Sequence, residues 1–535
     1  MFQRIAHLFR QLVIYGIGDA ATSIVSLLLL RLFTRYLTPA DYGAITLLLT
    51  VEAVTRILFR WGTDSSFMRL YYDCKGERDQ QVLTSTIVWF LVVVDTVLLA
   101  AGFALAPFVG RYFFETNAHN DLVRLVIFNT YLTTFLFIPN SLLRIRERSV
   151  LFSVLTFAKS LGTIVARLIL VVPFRMGVAG VVISDTVVTV ALLVVMSRWL
   201  LPLLRPLFSR RILGEVLRFG LPRLPHALAH QAIAVSDRYL MAYFLTLRDI
   251  GLYGIGSTFG QALKLFFNGF EFAWAPFYFG AMHRPDAKSI YARLTTYVFG
   301  AVVLLAAGLS AVARDLVRLM AQPEFITAST VIPATAIGVV AQAIYQVTAI
   351  GLNITKQAKY FPIATTIGAV VSISLNLVLM PRFGLLGAAY ANAASYSALT
   401  LVAGWFAHRV YPITYEWRRL ALIAAAGIGS YGAAVLLVPP LRSAFAGLLL
   451  RGTIVTVLYP LALFASGALE PSEKERIVAL FGLVRKASPE PVVQEDTSEM
   501  GGEILSGLVE YAGRGGEDTD EPRDPRPDPE RFPGA

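Results

Sequence analysis

The sequence predicts an all-α, polytopic membrane protein with about fourteen transmembrane helices. Three observations lead to this fold class: composition, the spacing of apolar segments, and the distribution of Lys and Arg. Of 535 residues, 56% are hydrophobic and only 16% are charged, whereas about 25% of the residues of an average soluble domain are charged. A soluble core cannot bury so much apolar surface, so the composition excludes soluble, disordered and disulfide-rich classes.

Fourteen apolar segments give the number of helices. A bilayer core about 30 Å thick requires about 20 apolar residues per helix, and each segment meets this length. The predicted spans cover approximately residues 11–33, 42–63, 83–106, 122–143, 150–172, 178–201, 219–243, 252–279, 294–313, 331–353, 362–380, 386–407, 420–438 and 448–468.

The Lys and Arg residues of the connecting segments give the orientation. If the N-terminus is cytoplasmic, the cytoplasmic segments carry 24 Lys and Arg and the opposite loops carry 8. Because cytoplasmic loops are enriched in these residues, the sequence predicts that both termini are cytoplasmic and that the number of spans is even.

The chain ends in a segment of different composition. Residues 487–535 hold 13 acidic and 4 basic residues with many Pro and Gly, so they cannot bury enough apolar surface to fold. We expect a disordered, acidic cytoplasmic tail here. The predicted divisions are a six-helix N-terminal lobe, a six-helix C-terminal lobe, two extra helices and a cytoplasmic tail: 1–206, 207–415, 416–470 and 471–535.

An internal repeat relates the two lobes. Residues 36–43 (YLTPADYG) match residues 244–251 (FLTLRDIG) at an offset of 208, and residues 173–180 (PFRMGVAG) match residues 381–387 (PRFGLLG) at an offset of 207. This period contains six helices, an even number, so the second copy has the same orientation as the first. The repeat predicts a parallel arrangement about an axis along the membrane normal, as in many secondary transporters.

Charged residues inside the spans form stripes on single helix faces. Glu52, Arg56 and Arg60 recur every four residues on span 2, a spacing that places them on one face. Similar stripes occupy spans 1, 7 and 8, and Lys159 and Arg167 share a face of span 5, whereas spans 9 to 14 carry almost no interior charge. Asp95 and Asp185 are isolated acids in spans 3 and 6. The other stripes comprise Asp19, Ser23 and Ser26; Arg223, His226, His230 and Asp237; and Lys264, Asn268 and Glu271.

These stripes predict a water-filled, cationic cavity, because ionisable groups in membrane helices usually face a cavity or a partner. Spans 1, 2, 7 and 8 are the expected lining. Arg60 and Arg223 have a competing interpretation. A long side chain near a helix end can extend to the lipid headgroups and need not face a cavity. The pair Glu52 and Arg56 fits a neutralised intrahelical ion pair equally well.

Enzyme signatures are missing from the sequence. It contains no G-x-x-x-x-G-K-[ST] phosphate loop, no G-x-S-x-G elbow and no H-E-x-x-H motif. We therefore expect no enzymatic activity and no cofactor. His226 and His230 lack a third ligand, so we also expect no metal. Nucleic acid is not an expected partner.

Four segments resemble one branch of the multidrug/oligosaccharidyl-lipid/polysaccharide flippase superfamily, the branch that serves bacterial polysaccharide export. They are RLFTRYLTPADYGAITLL (31–48), RIRERS (144–149), LRFGLPRLPHAL (217–228) and SDRYLMAYFLTLRDIGLYGIGSTF (236–259). The resemblance implies two six-helix lobes plus two helices, with a cationic cavity between the lobes. It also implies translocation of undecaprenyl-pyrophosphate-linked oligosaccharide across the inner membrane by alternating access. The polysaccharide polymerase and chain-length or export proteins are then candidate partners.

The resemblance also implies roles for charged residues. Arginine is well suited to bind the anionic pyrophosphate. The candidate anion-binding residues are Arg31, Arg56, Arg60, Arg223, Arg238 and Lys264. Acidic residues in the spans are candidates for coupling transport to a proton or Na⁺ gradient. These are Asp19, Glu52, Asp237 and Glu271.

Three alternatives remain open from the sequence. A peptidoglycan lipid-precursor flippase shares fourteen helices and a cationic cavity. A drug or cation antiporter of the same superfamily would favour an acidic cavity and twelve helices. A membrane polysaccharide polymerase usually needs a large external loop, and none is present here.

Overall fold

The computed structural model describes residue 25 and residues 28–114, 119–146, 148–471 and 473–475. These residues form an all-helical structure, with helix also at residues 28–33. The α-helices are α1 (Pro39–Arg60), α2 (Thr63–Asp73), α3 (Glu77–Phe114), α4 (Asn120–Phe135), α5 (Phe137–Ile145), α6 (Ser149–Val171), α7 (Gly177–Leu200), α8 (Arg210–Gly220), α9 (Leu224–Phe244), α10 (Leu247–Gln261), α11 (Leu263–Ala281), α12 (Ala287–Met320), α13 (Ile332–Thr348), α14 (Ile350–Ile354), α15 (Tyr360–Val410), α16 (Trp417–Leu437) and α17 (Ala444–Ala465). Short 3₁₀ turns cover Leu201–Leu203, Leu221–Arg223 and Pro323–Thr330.

Ten helices of the described part of the chain are long and apolar enough to cross a membrane. The protein is therefore a multi-pass membrane protein, as the composition predicts. One of the ten, Tyr360–Val410, has a non-helical residue at Gly384, and it covers predicted spans 11 and 12. Most of span 1 lies outside the described residues, and helices α9 to α11 are not among the ten. The exact number of fourteen stays a prediction.

The chain divides into two compact units, residues 1–469 and residues 470–535. In the second unit, the backbone N–H of Glu470 donates a 2.8 Å hydrogen bond to a carboxylate oxygen of Glu473. The predicted disordered tail, 487–535, lies outside the described residues.

The first repeated motif folds in the same way in both copies. Thr38 and Thr246 are N-caps, and each accepts a hydrogen bond from the backbone N–H of the aspartate three residues later. The side chains of Asp41 and Asp249 in turn accept a hydrogen bond from the backbone N–H of the cap residue, which completes a capping box in each copy. This reciprocal pairing satisfies donors that the first helical turn leaves free, and it explains why Thr and Asp recur in register.

The second repeated motif also has one structure in both copies. Gly177 has a φ of +56° and Gly384 a φ of +58°. Glycine adopts this left-handed region at no steric cost, so both copies turn at the same position of the motif. The glycines three residues later, Gly180 and Gly387, pack closely against the segment before the turn. An added Cβ would lie 3.2 Å from the carbonyl carbon of Leu170 and 2.3 Å from the carbonyl oxygen of Leu379, respectively.

Helices α1 and α10 meet in a reciprocal contact near their N-termini. A Cβ on Gly43 would lie 1.9 Å from the carbonyl oxygen of Leu247, and a Cβ on Gly251 would lie 1.8 Å from that of Pro39. At the repeat offset of 208, Gly43 corresponds to Gly251 and Pro39 to Leu247. Each copy therefore presents the same position to the other, as the two partners of a two-fold contact do. The contact fits the parallel repeat, whereas the lobe boundaries at 206 and 415 stay predictions.

A buried ion pair connects the last two helices to the rest of the bundle. Arg451 on α17 donates to the carboxylate of Asp315 on α12, and both residues are buried. The same guanidinium donates a 2.9 Å hydrogen bond to the carbonyl of Val438. Gly447 allows the close approach, because a Cβ there would lie 2.6 Å from Asp315. The sequence interpretation, which placed almost no charge in the interiors of spans 9 to 14, missed this pair.

The single cysteine gives a prediction about reactivity. Cys74 is partly buried, and its Sγ lies 3.4 Å from the carbonyl oxygen of Leu70. Burial raises the pKa of the Cys74 thiol, and the carboxylates of Asp79 and Asp73 raise it further. Because the thiolate is the nucleophile, we expect slow alkylation by iodoacetamide near neutral pH and faster alkylation as the pH rises. Mass spectrometry of the folded and the denatured protein measures both rates, and equal rates would contradict this explanation.

Candidate functional site

A polar cavity among the described residues, cavity A, has a volume of about 530 Å³. It lies among α1, α2 and α4 to α7, and its charged residues come from five of these helices. On the predicted orientation it extends from the cytoplasmic helix ends into the membrane interior. The charged lining residues are Glu52, Arg56, Arg60, Asp64, Arg144, Lys159, Arg167 and Asp185.

The α1 stripe forms one wall of cavity A. Glu52, Arg56 and Arg60 all line it, as their four-residue spacing requires. Arg56 donates to Glu52 one turn earlier, and Arg60 lies 3.7 Å from the carboxylate of Asp64. The Arg56 side chain keeps 47% of its surface exposed. A guanidinium with this exposure can donate further hydrogen bonds to an anion in the cavity.

The opposite wall comes from α6 and α7. Lys159 and Arg167 both face the cavity, which agrees with their shared helix face. Nη2 of Arg167 donates to both carboxylate oxygens of Asp185 at 2.8 Å, so Asp185 is not the isolated acid that the sequence indicated. Among the described residues, no carboxylate lies within ion-pair distance of Lys159. Its ammonium group lines the cavity without a direct ion pair, so it can donate hydrogen bonds to an anion there.

The formal charges of cavity A sum to a positive value. Five basic side chains and three acidic ones line it, and a low-dielectric surrounding strengthens their effect on an ion in the cavity. The arrangement favours an anion with several acceptor oxygens.

A second cavity, cavity B, has a volume of about 290 Å³ and shares the lining residue Leu49 with cavity A. Its charged residues are Asp237, Arg238 and Lys264. The buried carboxylate of Asp237 accepts a hydrogen bond from the hydroxyl of Tyr253. Arg238 donates a 2.6 Å hydrogen bond to the carbonyl of Ala234. Cavity B is therefore polar, but its fixed charges are fewer and more nearly balanced than those of cavity A.

The structure divides the predicted site residues into groups. Arg56, Arg60 and Glu52 lie in cavity A, and Arg238, Lys264 and Asp237 lie in cavity B. Two arginines line neither cavity: Arg31 donates a 2.6 Å hydrogen bond to the carbonyl of Leu319, and the guanidinium of Arg223 lies 4.3 Å from the ring centroid of Phe219. Asp19 lies outside the described residues, and the side chain of Glu271 is not described either.

The lining helices differ from those that the stripes predict. We expected spans 1, 2, 7 and 8, but the described lining of cavity A comes from spans 2, 4, 5 and 6. A stripe identifies the polar face of a helix, but it carries no information on which helices that face meets. Arg144, Asp64 and Asp185 were missed as lining residues. The basic RIRERS loop was the only signal for Arg144.

Metal binding has little support in the described part of the chain, where no group of three or more His, Cys, Asp or Glu residues could hold an ion. The rings of His226 and His230 are 6.4 Å apart, and Nδ1 of His226 lies 3.1 Å from the hydroxyl of Thr365. The distance between the rings and the hydroxyl contact fit hydrogen bonding better than shared ligation.

Comparison with known sequences identifies one family. Residues 32–269 match the family described as Polysaccharide biosynthesis protein. No curated protein sequence matches the chain.

Comparison with solved structures identifies the fold. A lipid II flippase MurJ in an inward-closed conformation aligns with a TM-score of 0.67 at 13% identity, over 85% of this chain and 99% of that one. An inward-facing multidrug resistance MATE transporter of the MOP superfamily aligns with a TM-score of 0.57 at 14% identity, over 77% and 96%. A mutant of the Vibrio cholerae MATE transporter VcmN aligns with a TM-score of 0.52 at 12% identity, over 76% and 97%.

These matches confirm the resemblance to the multidrug/oligosaccharidyl-lipid/polysaccharide flippase superfamily. The polysaccharide branch fits the description of the matching family, and the fold is shared with MurJ and MATE transporters.

Proposed function

We propose that the protein is a flippase that translocates undecaprenyl-pyrophosphate-linked oligosaccharide across the bacterial inner membrane. Its product would serve O-antigen, capsule or exopolysaccharide synthesis. The observation that carries the proposal is the excess of basic side chains in cavity A, because a pyrophosphate offers several charged acceptor oxygens. The family match over residues 32–269 supports the polysaccharide branch.

The proposed mechanism is alternating access between two lobes. The pyrophosphate enters cavity A from the cytoplasmic side and binds the guanidinium of Arg56 and the ammonium of Lys159. The apolar lipid tail stays in the bilayer, beside helices whose outer faces are rich in exposed apolar residues. The lobes then separate at the opposite side, where the reciprocal contact between α1 and α10 lies.

The existing ion pairs give cavity A a way to bind and release its substrate. Glu52 holds Arg56 and Asp185 holds Arg167 when no pyrophosphate is bound. An incoming pyrophosphate replaces these carboxylates as the acceptor, so the arginines need not become unpaired when the substrate leaves. This exchange keeps the net binding free energy moderate, which favours turnover over permanent capture.

Among the predicted coupling residues, we propose Glu52 and Asp237 for coupling to a proton or Na⁺ gradient. Each lies in one of the two cavities and interacts with a cation or a hydroxyl group. We also propose that the chain lies in the inner membrane with both termini cytoplasmic. In that position a polymerase and chain-length or export proteins could act on its product.

The decisive experiment measures polymer export by cells that carry Arg56→Ala or Lys159→Ala. A hydrogen bond to a charged group contributes about 1.5–3 kcal/mol, which corresponds to about a tenfold to hundredfold change in binding. We expect export to fall by this order for each variant, with Lys159→Ala the more informative because no ion pair is broken.

Arg124→Ala is the matched control. Arg124 is partly exposed and pairs with Asp121 at the start of α4, outside both cavities, so export should be unchanged at equal membrane levels. Normal export by both cavity variants would remove the basis of the proposal. Export of a peptidoglycan precursor instead of an oligosaccharide would favour the alternative precursor flippase, whose substrate carries the same pyrophosphate.

A further inference from the structure

A carboxylic acid in α3 lies outside both cavities and has no role in the proposed mechanism. Asp95 is fully buried, and among the described residues no donor forms a hydrogen bond with either of its carboxylate oxygens. The acidic residues that line cavities A and B each have a cation or a hydroxyl group as partner. An ionised carboxylate without partners is very costly to bury, so the neutral, protonated acid is the form that this site accommodates.

The indole of Trp61 is the polar group that faces Asp95. Its Nε1–H is buried and has no acceptor within the described part of the chain, and the indole lies beside the Asp95 side chain. Two other titratable groups on adjacent helices are directed elsewhere. On α1, Arg60 faces Asp64 in cavity A, and on α4 the hydroxyl of Tyr131 lies 3.2 Å from the hydroxyl of Thr96.

Trp61 also lies at the junction between two helices. Trp61 and Gly62 separate α1 from α2, and both have left-handed backbones with φ of +49° and +68°. A left-handed conformation is costly for a tryptophan. Gly62 packs against Gly220 at the end of α8, where an added Cβ would lie 2.6 Å from the Gly220 carbonyl oxygen. Residue 220 belongs to the segment that leads into α9, so this corner links the two halves of the chain.

We propose that Asp95 is a proton-binding site, and that its protonation state sets the position of Trp61 and of the corner at Gly62 and Gly220. When a proton from solvent binds a carboxylate oxygen, an O–H bond forms and the site becomes neutral. When the proton leaves, the carboxylate attracts the Trp61 indole N–H, and the left-handed corner moves with it. Arg60, the residue before Trp61, lines cavity A, so the movement reaches the proposed substrate site.

The first test uses infrared spectroscopy of the purified full-length chain in detergent, without substrate. We expect a protonated-carboxyl C=O band at about pH 7, well above the ordinary titration range of aspartate. Asp95→Asn should remove this band. Asp121→Asn is the control, because the Asp121 side chain is 92% exposed, and it should leave the band unchanged. A spectrum in which Asp95→Asn removes no such band would overturn the proposal.

The second test compares unfolding of the wild type and Asp95→Asn between about pH 5 and about pH 8. In this range the unfolded Asp95 is ionised and the folded one keeps its proton, so the folded state binds more protons and loses stability as the pH rises. The wild type should lose up to about tenfold in its folded-to-unfolded ratio per pH unit relative to Asp95→Asn. Asp121→Asn should track the wild type, and an equal pH dependence of wild type and Asp95→Asn would contradict proton binding.

The link to transport rests on the proposed function and is tested separately. Export by Asp95→Asn should lose its dependence on external pH, whereas Trp61→Phe should keep the infrared band but alter the pH dependence of export. If no oligosaccharide is exported, the proposed function fails and the infrared and unfolding results still decide the proton site. If export keeps its wild-type pH dependence in Asp95→Asn, the coupling through Trp61 is wrong.

Discussion

Asp315→Ala will lower the free energy of unfolding by about 3–5 kcal/mol, because it leaves the guanidinium of Arg451 buried without a counter-charge. Only 5% of Arg451 is exposed, so the charge cannot reach water without a rearrangement of α17. The hydrogen bond from Arg451 to Val438 compensates only part of the loss. Thermal or denaturant unfolding in detergent measures the change.

The double variant Asp315→Leu with Arg451→Leu separates the charge from the packing. Apolar replacement of a whole buried ion pair is often neutral or stabilising, so the double variant should recover most of the stability that Asp315→Ala loses. Arg318→Ala provides the comparison, since this arginine is more exposed and lies 4.0 Å from Asp315. If Arg318→Ala lowered the free energy of unfolding as much as Asp315→Ala does, burial of the Asp315–Arg451 pair would not be the cause of the loss.

Substitution at the reciprocal contact of α1 and α10 will have the second large effect. Gly43→Ala and Gly251→Ala each place a Cβ less than 2 Å from a backbone carbonyl oxygen, and overpacking of this kind costs about 1–3 kcal/mol. The cost falls on the state in which the two helix ends touch. If transport separates these ends, the equilibrium shifts toward the separated state by about tenfold to hundredfold.

Export and thermal stability measured together report this shift. We expect both to fall in the two variants, and to fall by similar amounts, because the contact is reciprocal. Gly76→Ala is the control: no atom lies within 4 Å of its added Cβ, so it should behave as the wild type. Wild-type export and stability in Gly43→Ala and Gly251→Ala would mean that the contact is not important.

Local features were predictable from sequence, and long-range pairings were not. The matching Thr and Asp of the repeat became matching capping boxes, and the four-residue spacing of Glu52, Arg56 and Arg60 became one wall of cavity A. Both depend on residues within a turn or two of each other. The apolar segments likewise indicated a polytopic fold, because span length depends on local composition.

The pairs that define the cavities depend on the packing of distant helices. Arg167 and Asp185 lie on successive helices, and Asp315 and Arg451 are separated by 136 residues. Periodicity describes the face of one helix at a time, so it cannot identify these partners. For the same reason, the stripes predicted one cavity lined by spans 1, 2, 7 and 8, whereas the described site residues lie in cavity A or cavity B or line neither of them.

The two-fold character of the α1 and α10 contact has a consequence for how sequence can vary. Had the same contact joined two identical chains, every substitution would act twice, once on each side of the axis. Within one chain each position varies alone, so Gly43 faces Leu247 while Gly251 faces Pro39. The same freedom allows one copy to accumulate arginine and lysine around its cavity while the other does not. Covalent duplication thus makes possible a symmetric scaffold with an asymmetric interior.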